Sequence, residues 1–234
     1  MQAFFSNLKI YGRMMQFDSV KAILFDVDGT LFSSEGMIEG IYKQEFLKHR
    51  EIHGKPAEIP EQQAIMEQIG KPVVKIFEAL APDLSSGERE FLSESILTEL
   101  VNSILQGGGH HYEGVYSTIK KLSENYRIFA ASNGRLPYVK AILKANSTDS
   151  FFEAVPYVDN QNIKNKTELV SSILTAYNLE PQQAALIGDR TSDRDAALDN
   201  GCFFIACRFG HGSEEEWEGA HEFIDSINDL LRIF

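Results

Sequence analysis

The chain has 234 residues, of which 43% are hydrophobic and 24% charged, a globular composition with room for one large domain carrying an insertion, or for two smaller ones. A formal net charge of -12 excludes the broadly basic surface that nucleic acid or an anionic membrane demands, so a phosphorylated ligand has to be held by local positive groups. No apolar stretch approaches the roughly 20 residues that span a bilayer, and residues 1–18 lack an uninterrupted apolar core of the signal-peptide type, which together predict a soluble, cytoplasmic protein.

In chain order, residues 1–16 carry no strong pattern, and the Met14-Met15 pair is a candidate alternative start. The first clear element is a strand over 21–26, where Ala22, Ile23, Leu24 and Phe25 form a short apolar run without helical periodicity. Such a run suits a strand covered on both faces of a parallel sheet. Gly29 ends it, leaving Asp26 and Asp28 beyond the strand's carboxyl end, where open α/β sheets bind ligands. Two carboxylates there suit a cation or, with the turn's backbone amides, a phosphate; a plain strand-end turn is the competing reading.

About 75 residues then intervene, over 33–107, before the core pattern resumes, too many for a simple crossover. Ile38, Ile41, Tyr42 and Phe46 form one apolar stripe, Val73, Val74, Phe77 and Leu80 a second, and Phe91, Ile96, Leu100 and Ile104 a third. With no strand signal among them, they predict an inserted all-helical domain over 33–107, set into a core of 1–32 and 108–234. The run Gln106-Gly107-Gly108-Gly109 is suited to a hinge, and a second hinge is expected just after Leu31. A helical lid on two hinges beside carboxylates predicts closure over substrate. His110 and His111 read as linker residues.

Further strands are expected over 127–132, 151–157, 184–188 and 202–207, alternating with amphipathic helices. This pattern predicts a doubly wound parallel α/β sheet. Ser132-Asn133-Gly134 closes the second strand with a hydroxyl, an amide and a permissive glycine, groups that suit an anion. Asp189 ends the strand at 184–188, and Asp193 lies one helical turn on, so both carboxylates share one side; capping by Ser192 with a dipole-favoured Asp193 is a compatible alternative. Mg2+ commonly takes one or two carboxylates with phosphate and water. Cys202 and Cys207 sit at an odd separation in one strand, pointing to opposite faces as reduced core thiols. Arg190 reads as paired with an acidic neighbour, His211 as a loop residue, and the run Glu214-Glu215-Glu216 as a solvated first helical turn.

The ordered set Asp26-Val27-Asp28-Gly29-Thr30, a strand-end Ser132, a later lysine and Gly188-Asp189 with Asp193 resembles the haloacid dehalogenase superfamily, in particular its phosphoglycolate-phosphatase-like branch. The likeness extends from Lys21 onward, with the helical insertion similar to that superfamily's cap of the first class and Tyr112-Glu113-Gly114-Val115 similar to the re-entry segment. It implies a Mg2+-dependent phosphatase acting on a small phosphomonoester such as phosphoglycolate, a sugar phosphate or a nucleotide, with the anhydride pyrophosphate a further open candidate. Asp26 would be the nucleophile, forming an aspartyl-phosphate, and Asp28 the general acid and base. Asp26, the backbone carbonyl of Asp28, Asp189 and Asp193 would hold or orient Mg2+. Ser132, Asn133 and a lysine would bind the phosphoryl group. Lys166 is favoured over Lys164 by its distance to the helix end at Asn178-Leu179, although the lysine-proline pair of many relatives is absent. Lys71, in Gly70-Lys71-Pro72, is similar in position to the cap loop that meets substrate, and an exposed loop lysine is the alternative.

Two other functions stay open. A sugar phosphomutase of the β-phosphoglucomutase kind runs on the same machinery. A non-catalytic binding or regulatory module would keep the fold, but loss of a carboxylate would be its mark, and Asp26, Asp28, Asp189 and Asp193 are all present. A dehalogenase or phosphonatase is disfavoured by the acid at Asp28.

Overall fold

The computed structural model describes residues 17–54, 58–158 and 162–234; residues 1–16, with the Met14-Met15 pair, lie outside them. Strand β1 (Ala22–Phe25) has every side chain at 0% exposure, as a run without alternation requires when both faces are covered. It lies at the centre of a six-stranded sheet with β4 (Arg127–Ala130), β5 (Phe152–Ala154), β6 (Ala184–Gly188), β7 (Phe203–Cys207) and β8 (Glu222–Ile224), in the order β5-β4-β1-β6-β7-β8. All five pairings are parallel.

The two-residue period of the strands divides the core. Ile23, Phe25, Ile128, Ile187 and Ile205 pack on one face, against helices α5 (Val115–Leu122) and α6 (Leu136–Ala145). Leu24, Phe129, Leu186 and Phe204 pack on the other, against α7 (Lys166–Ala176) and α8 (Thr191–Asp199). The fold is therefore a doubly wound α/β sheet, and Cys202 and Cys207 fall in opposite core clusters as buried free thiols.

Three features of the strands differ from the sequence reading. Strand β8 was not anticipated: it is three residues at the sheet edge, too short for a periodicity signal. The strand expected over 151–157 shrinks to Phe152–Ala154, because its register with β4 slips between Ile128 and Phe129; Ser132 then meets Tyr157 only in an isolated bridge. His110–His111 is strand β3 rather than linker, paired antiparallel with β2 (Phe32–Ser33). That ribbon joins the two ends of the helical segment.

Between β2 and β3 lie helices α1 (Ile38–His53), α2 (Gln62–Met66), α3 (Val73–Leu80) and α4 (Ser86–Leu105), with no strand among the described residues. Tyr42 stacks on Phe77 with ring centroids 6.0 Å apart, and Phe46, Ile65, Leu92 and Ile96 are buried. Ser85 and Glu88 form a capping box that starts α4. Val74 and Phe91, expected within apolar stripes, are instead exposed, one helical step off the packed face. No helix among the described residues is long and apolar enough to cross a membrane.

Because Leu24 is fully buried on the central strand, Leu24→Ala is expected to cost about 3 kcal/mol, read as a lower urea midpoint. Leu231→Ala, at 43% exposure, should stay within about 0.5 kcal/mol of wild type.

Candidate active site

Three neighbouring strands release their last residues at one end of the sheet. Phe25 is level with Ala130 on one side and Ile187 on the other, so Asp26, Ser132 and Asp189 emerge side by side. The Asp26 amide donates to the Ile187 carbonyl at 2.9 Å, which carries the sheet's register up to the carboxylate itself. Gly29 then turns back with φ +79°, and its Cα lies against the Asp189 carboxylate. A side chain at that position would collide with Asp189 and would also be strained at that φ.

Lys166, first residue of α7, is 2% exposed. Its Nζ donates to Asp26 Oδ1 at 2.7 Å and to Asp193 Oδ1 at 2.5 Å. The other Asp193 oxygen accepts the backbone N–H groups of Asp189 and Arg190 at 3.2 and 2.9 Å, so both oxygens of Asp193 are engaged. Asp189 is held on three sides: its Oδ2 accepts the His211 amide at 2.6 Å, its carbonyl accepts Trp217 Nε1–H at 2.6 Å, and Gly29 packs against its carboxylate. Lys164, by contrast, is exposed, with its backbone N–H bound to Glu168.

Asp28 faces a cavity beneath the helical segment, and its Oδ1 accepts the Tyr138 hydroxyl at 2.6 Å. Tyr138 was missed in the sequence. Its signal was a tyrosine on the same face as buried Ile142, where a buried hydroxyl needs a partner. Ser132 also lines this cavity, its Oγ accepting the Gly134 amide at 3.0 Å. The Asn133 side chain turns elsewhere than expected, donating Nδ2–H to the Gly70 carbonyl at 2.7 Å and so tying the sheet's loop to the helical segment. Lys71 reaches the same cavity but is exposed and bound to Gln68 at 2.9 Å.

Arg190 pairs with Glu216 at 3.1 Å. Glu216 also accepts the backbone and hydroxyl of Thr191, each at 2.9 Å. The acidic run is therefore not wholly solvated as expected: its third member caps α8 and fixes the Asp189 loop. His211 contributes its backbone to the site, while its ring lies 3.4 Å from Glu35.

Burial dominates the electrostatics. Desolvation pushes Asp26 well above the usual carboxylate range, with Asp193 adding to the rise and Lys166 opposing it. Asp28 is pushed up to about 6 by burial, against the Tyr138 hydrogen bond. Asp189 is pushed up to about 7 by burial and then by Asp193. Burial alone would lower Lys166, yet Asp193 and Asp26 outweigh it and hold the ammonium charged.

Asp26, Asp189 and Asp193 offer carboxylate oxygens within 4.8 Å of one another. Asp26 Oδ2 and Asp189 Oδ1 are buried without a protein partner. Facing carboxylate oxygens left bare in a buried site fit a hard divalent cation, which takes oxygen ligands.

The sequence profile for haloacid dehalogenase-like hydrolase matches residues 23–207. The chain belongs to the haloacid dehalogenase-like hydrolase family. This hydrolase is 29% identical to pyrophosphatase PpaX of Listeria welshimeri over 76% of its own length and 78% of that protein's. Its fold matches a predicted phosphoglycolate phosphatase of Haemophilus somnus (TM-score 0.77, 19% identity, 92% and 98% of the two chains). It also matches CbbY of Rhodobacter sphaeroides, solved with xylulose-(1,5)bisphosphate (TM-score 0.73, 19% identity, 90% and 96%).

A carboxyl whose folded pKa lies above its unfolded value binds extra protons when folded, so its contribution to stability is lost as pH rises through the folded pKa. For Asp189 that window runs from the ordinary 3.8 to about 7. In chelator, the melting temperature of the wild type relative to Asp189→Asn should fall across this window, as measured by calorimetry at several pH values. A relative melting temperature that rises there would contradict the burial argument.

Proposed function

We propose that this hydrolase is a Mg2+-dependent phosphatase that cleaves a small soluble phosphomonoester through an aspartyl-phosphate on Asp26. The reading rests on the Lys166 ammonium wedged between Asp26 and Asp193, with Asp28 beside them at the cavity. Lys166 keeps Asp26 oriented and offsets the charge of an approaching phosphoryl group. Asp26, Asp189 and the backbone carbonyl of Asp28 would hold Mg2+, with Asp193 orienting Lys166 and the Asp189 loop. Mg2+, when bound, neutralises phosphoryl charge and opposes repulsion from the facing carboxylates.

In the first step an Asp26 oxygen forms a bond to phosphorus while the bond to the leaving oxygen breaks, and Asp28 gives that oxygen its proton. In the second, Asp28 as carboxylate takes a proton from water, which attacks the aspartyl-phosphate and releases inorganic phosphate. Tyr138 aims the Asp28 carboxyl through its hydrogen bond. Ser132, the backbone amide of Asn133 and Lys166 would bind the phosphoryl oxygens. Residues 33–107 would act as a lid domain over a core of 1–32 and 108–234, with the Asn133–Gly70 hydrogen bond among the contacts formed on closure.

A phosphate-release screen over a metabolite panel should show turnover that requires Mg2+ and is abolished by chelator. Asp28→Asn is expected to lower kcat by about 10^2- to 10^4-fold, and Asp26→Asn to leave no measurable turnover. Lys166→Ala should lose activity that Lys164→Ala keeps. Full activity in Asp26→Asn would overturn the assignment, and absence of turnover on every ester would favour a binding module.

A further inference from the structure

Two of the core loops at the site each send the next side chain up to the helical segment. Asn133 follows Ser132, and its Nδ2–H donates to the Gly70 carbonyl at 2.7 Å. Arg190 follows Asp189; its Nε pairs with Glu216 at 3.1 Å, which leaves Nη1–H directed to the Ile69 carbonyl at 3.4 Å. Donors from two separate strand exits therefore meet two successive carbonyls of one loop, the one between α2 and α3.

Both donors are anchored from below. The Arg190 backbone N–H is bound at 2.9 Å by Asp193, the same carboxylate that holds Lys166. Asn133 is 4% exposed, in a turn that the Ser132 hydroxyl closes by accepting the Gly134 amide. On the other side the fit requires glycine, because Gly70 has φ +86° and a Cβ there would lie 3.4 Å from Arg190 Cγ. Ile69, Gly70 and Lys71 all line the cavity that receives Asp26 and Asp28. Whatever holds this loop holds the cover of the site.

Building on the phosphatase and lid reading, we propose that Asn133 and Arg190 are positioning residues, a two-point latch that couples closure of the lid to occupation of the site. Phosphate at Ser132 and a cation at Asp189 steady the two loops, and the steadied loops present both donors to Ile69 and Gly70. Coupling of this kind is reciprocal, so the latched lid strengthens phosphate binding by the factor with which phosphate favours closure. One such hydrogen bond is worth about two- to twelvefold in an equilibrium. Since both hold the same loop, loss of either frees it and takes most of the other's value with it.

The test is hydrogen exchange, read by mass spectrometry on the peptide over residues 67–77, in Mg2+ alone and in Mg2+ with inorganic phosphate, alongside calorimetric phosphate binding. In the wild type, phosphate is expected to slow exchange in this peptide. Asn133→Ala and Arg190→Met should each lose most of that slowing and bind phosphate about two- to twelvefold more weakly. The double variant should bind better than the product of the two single losses predicts. Gly70→Ala strains the same loop from the lid side and leaves both donors in place, so it should show the same two losses and keeps the test open if the core variants fail to fold. Phosphate that slows nothing in the wild type, full slowing in the variants, or losses that simply multiply would overturn the latch, while ester hydrolysis by the wild type would leave the phosphatase reading standing. Phosphate-coupled protection that depends on both residues, without hydrolysis of any ester, would support the latch and overturn the phosphatase reading instead.

Discussion

A buried ammonium between two buried carboxylates organises this molecule. Lys166 is 2% exposed and within 2.7 Å of Asp26 and 2.5 Å of Asp193. Removing one partner of such a cluster strands charge in a poor dielectric, a loss of about 3–5 kcal/mol. Its geometry in turn requires two strand exits at one level, because Asp26 follows β1 and Asp189, which leads on to Asp193, follows β6, while Lys166 opens the helix between β5 and β6. The parallel register supplies that level, and the backbone N–H groups of Asp189 and Arg190 hold Asp193 in place.

One lysine does not neutralise three carboxylates. Asp26 and Asp189 are both shifted upward, burial being the main cause, and each keeps one buried oxygen without a protein partner. The protein has thus paid a desolvation cost that its own side chains do not recover, which a bound cation and a phosphoryl group would offset. Gly29 and the Trp217 indole keep Asp189 from relaxing away from that arrangement.

Much of this was legible in the chain because it depends on local order. The apolar run before Asp26 and the spacing of Asp189 to Asp193 both report short-range geometry that a sheet and one helical turn impose. The haloacid dehalogenase resemblance added the pairing of these distant motifs, which spacing alone does not supply. Long-range contacts left no such trace: Tyr138 meets Asp28 across 110 positions, and Glu216 reaches Thr191 across 25. The Asn133 side chain went to Gly70 because the helical segment offers it a carbonyl. Strand β8 and the β2–β3 ribbon were too short to show a period, being three and two residues long. The apolar stripes did announce inward-facing helices, but not that some of those faces wall the cavity at Asp26.

The central claim is that the carboxylate beside Lys166 becomes covalently phosphorylated. Rapid acid quench during turnover, followed by peptide mass mapping, tests it directly. The account predicts a single transient phosphoryl group on the peptide containing Asp26, absent from Asp26→Asn. Steady turnover with no phosphorylated peptide on the time scale of a single cycle, or with the phosphoryl group on another residue, would contradict it.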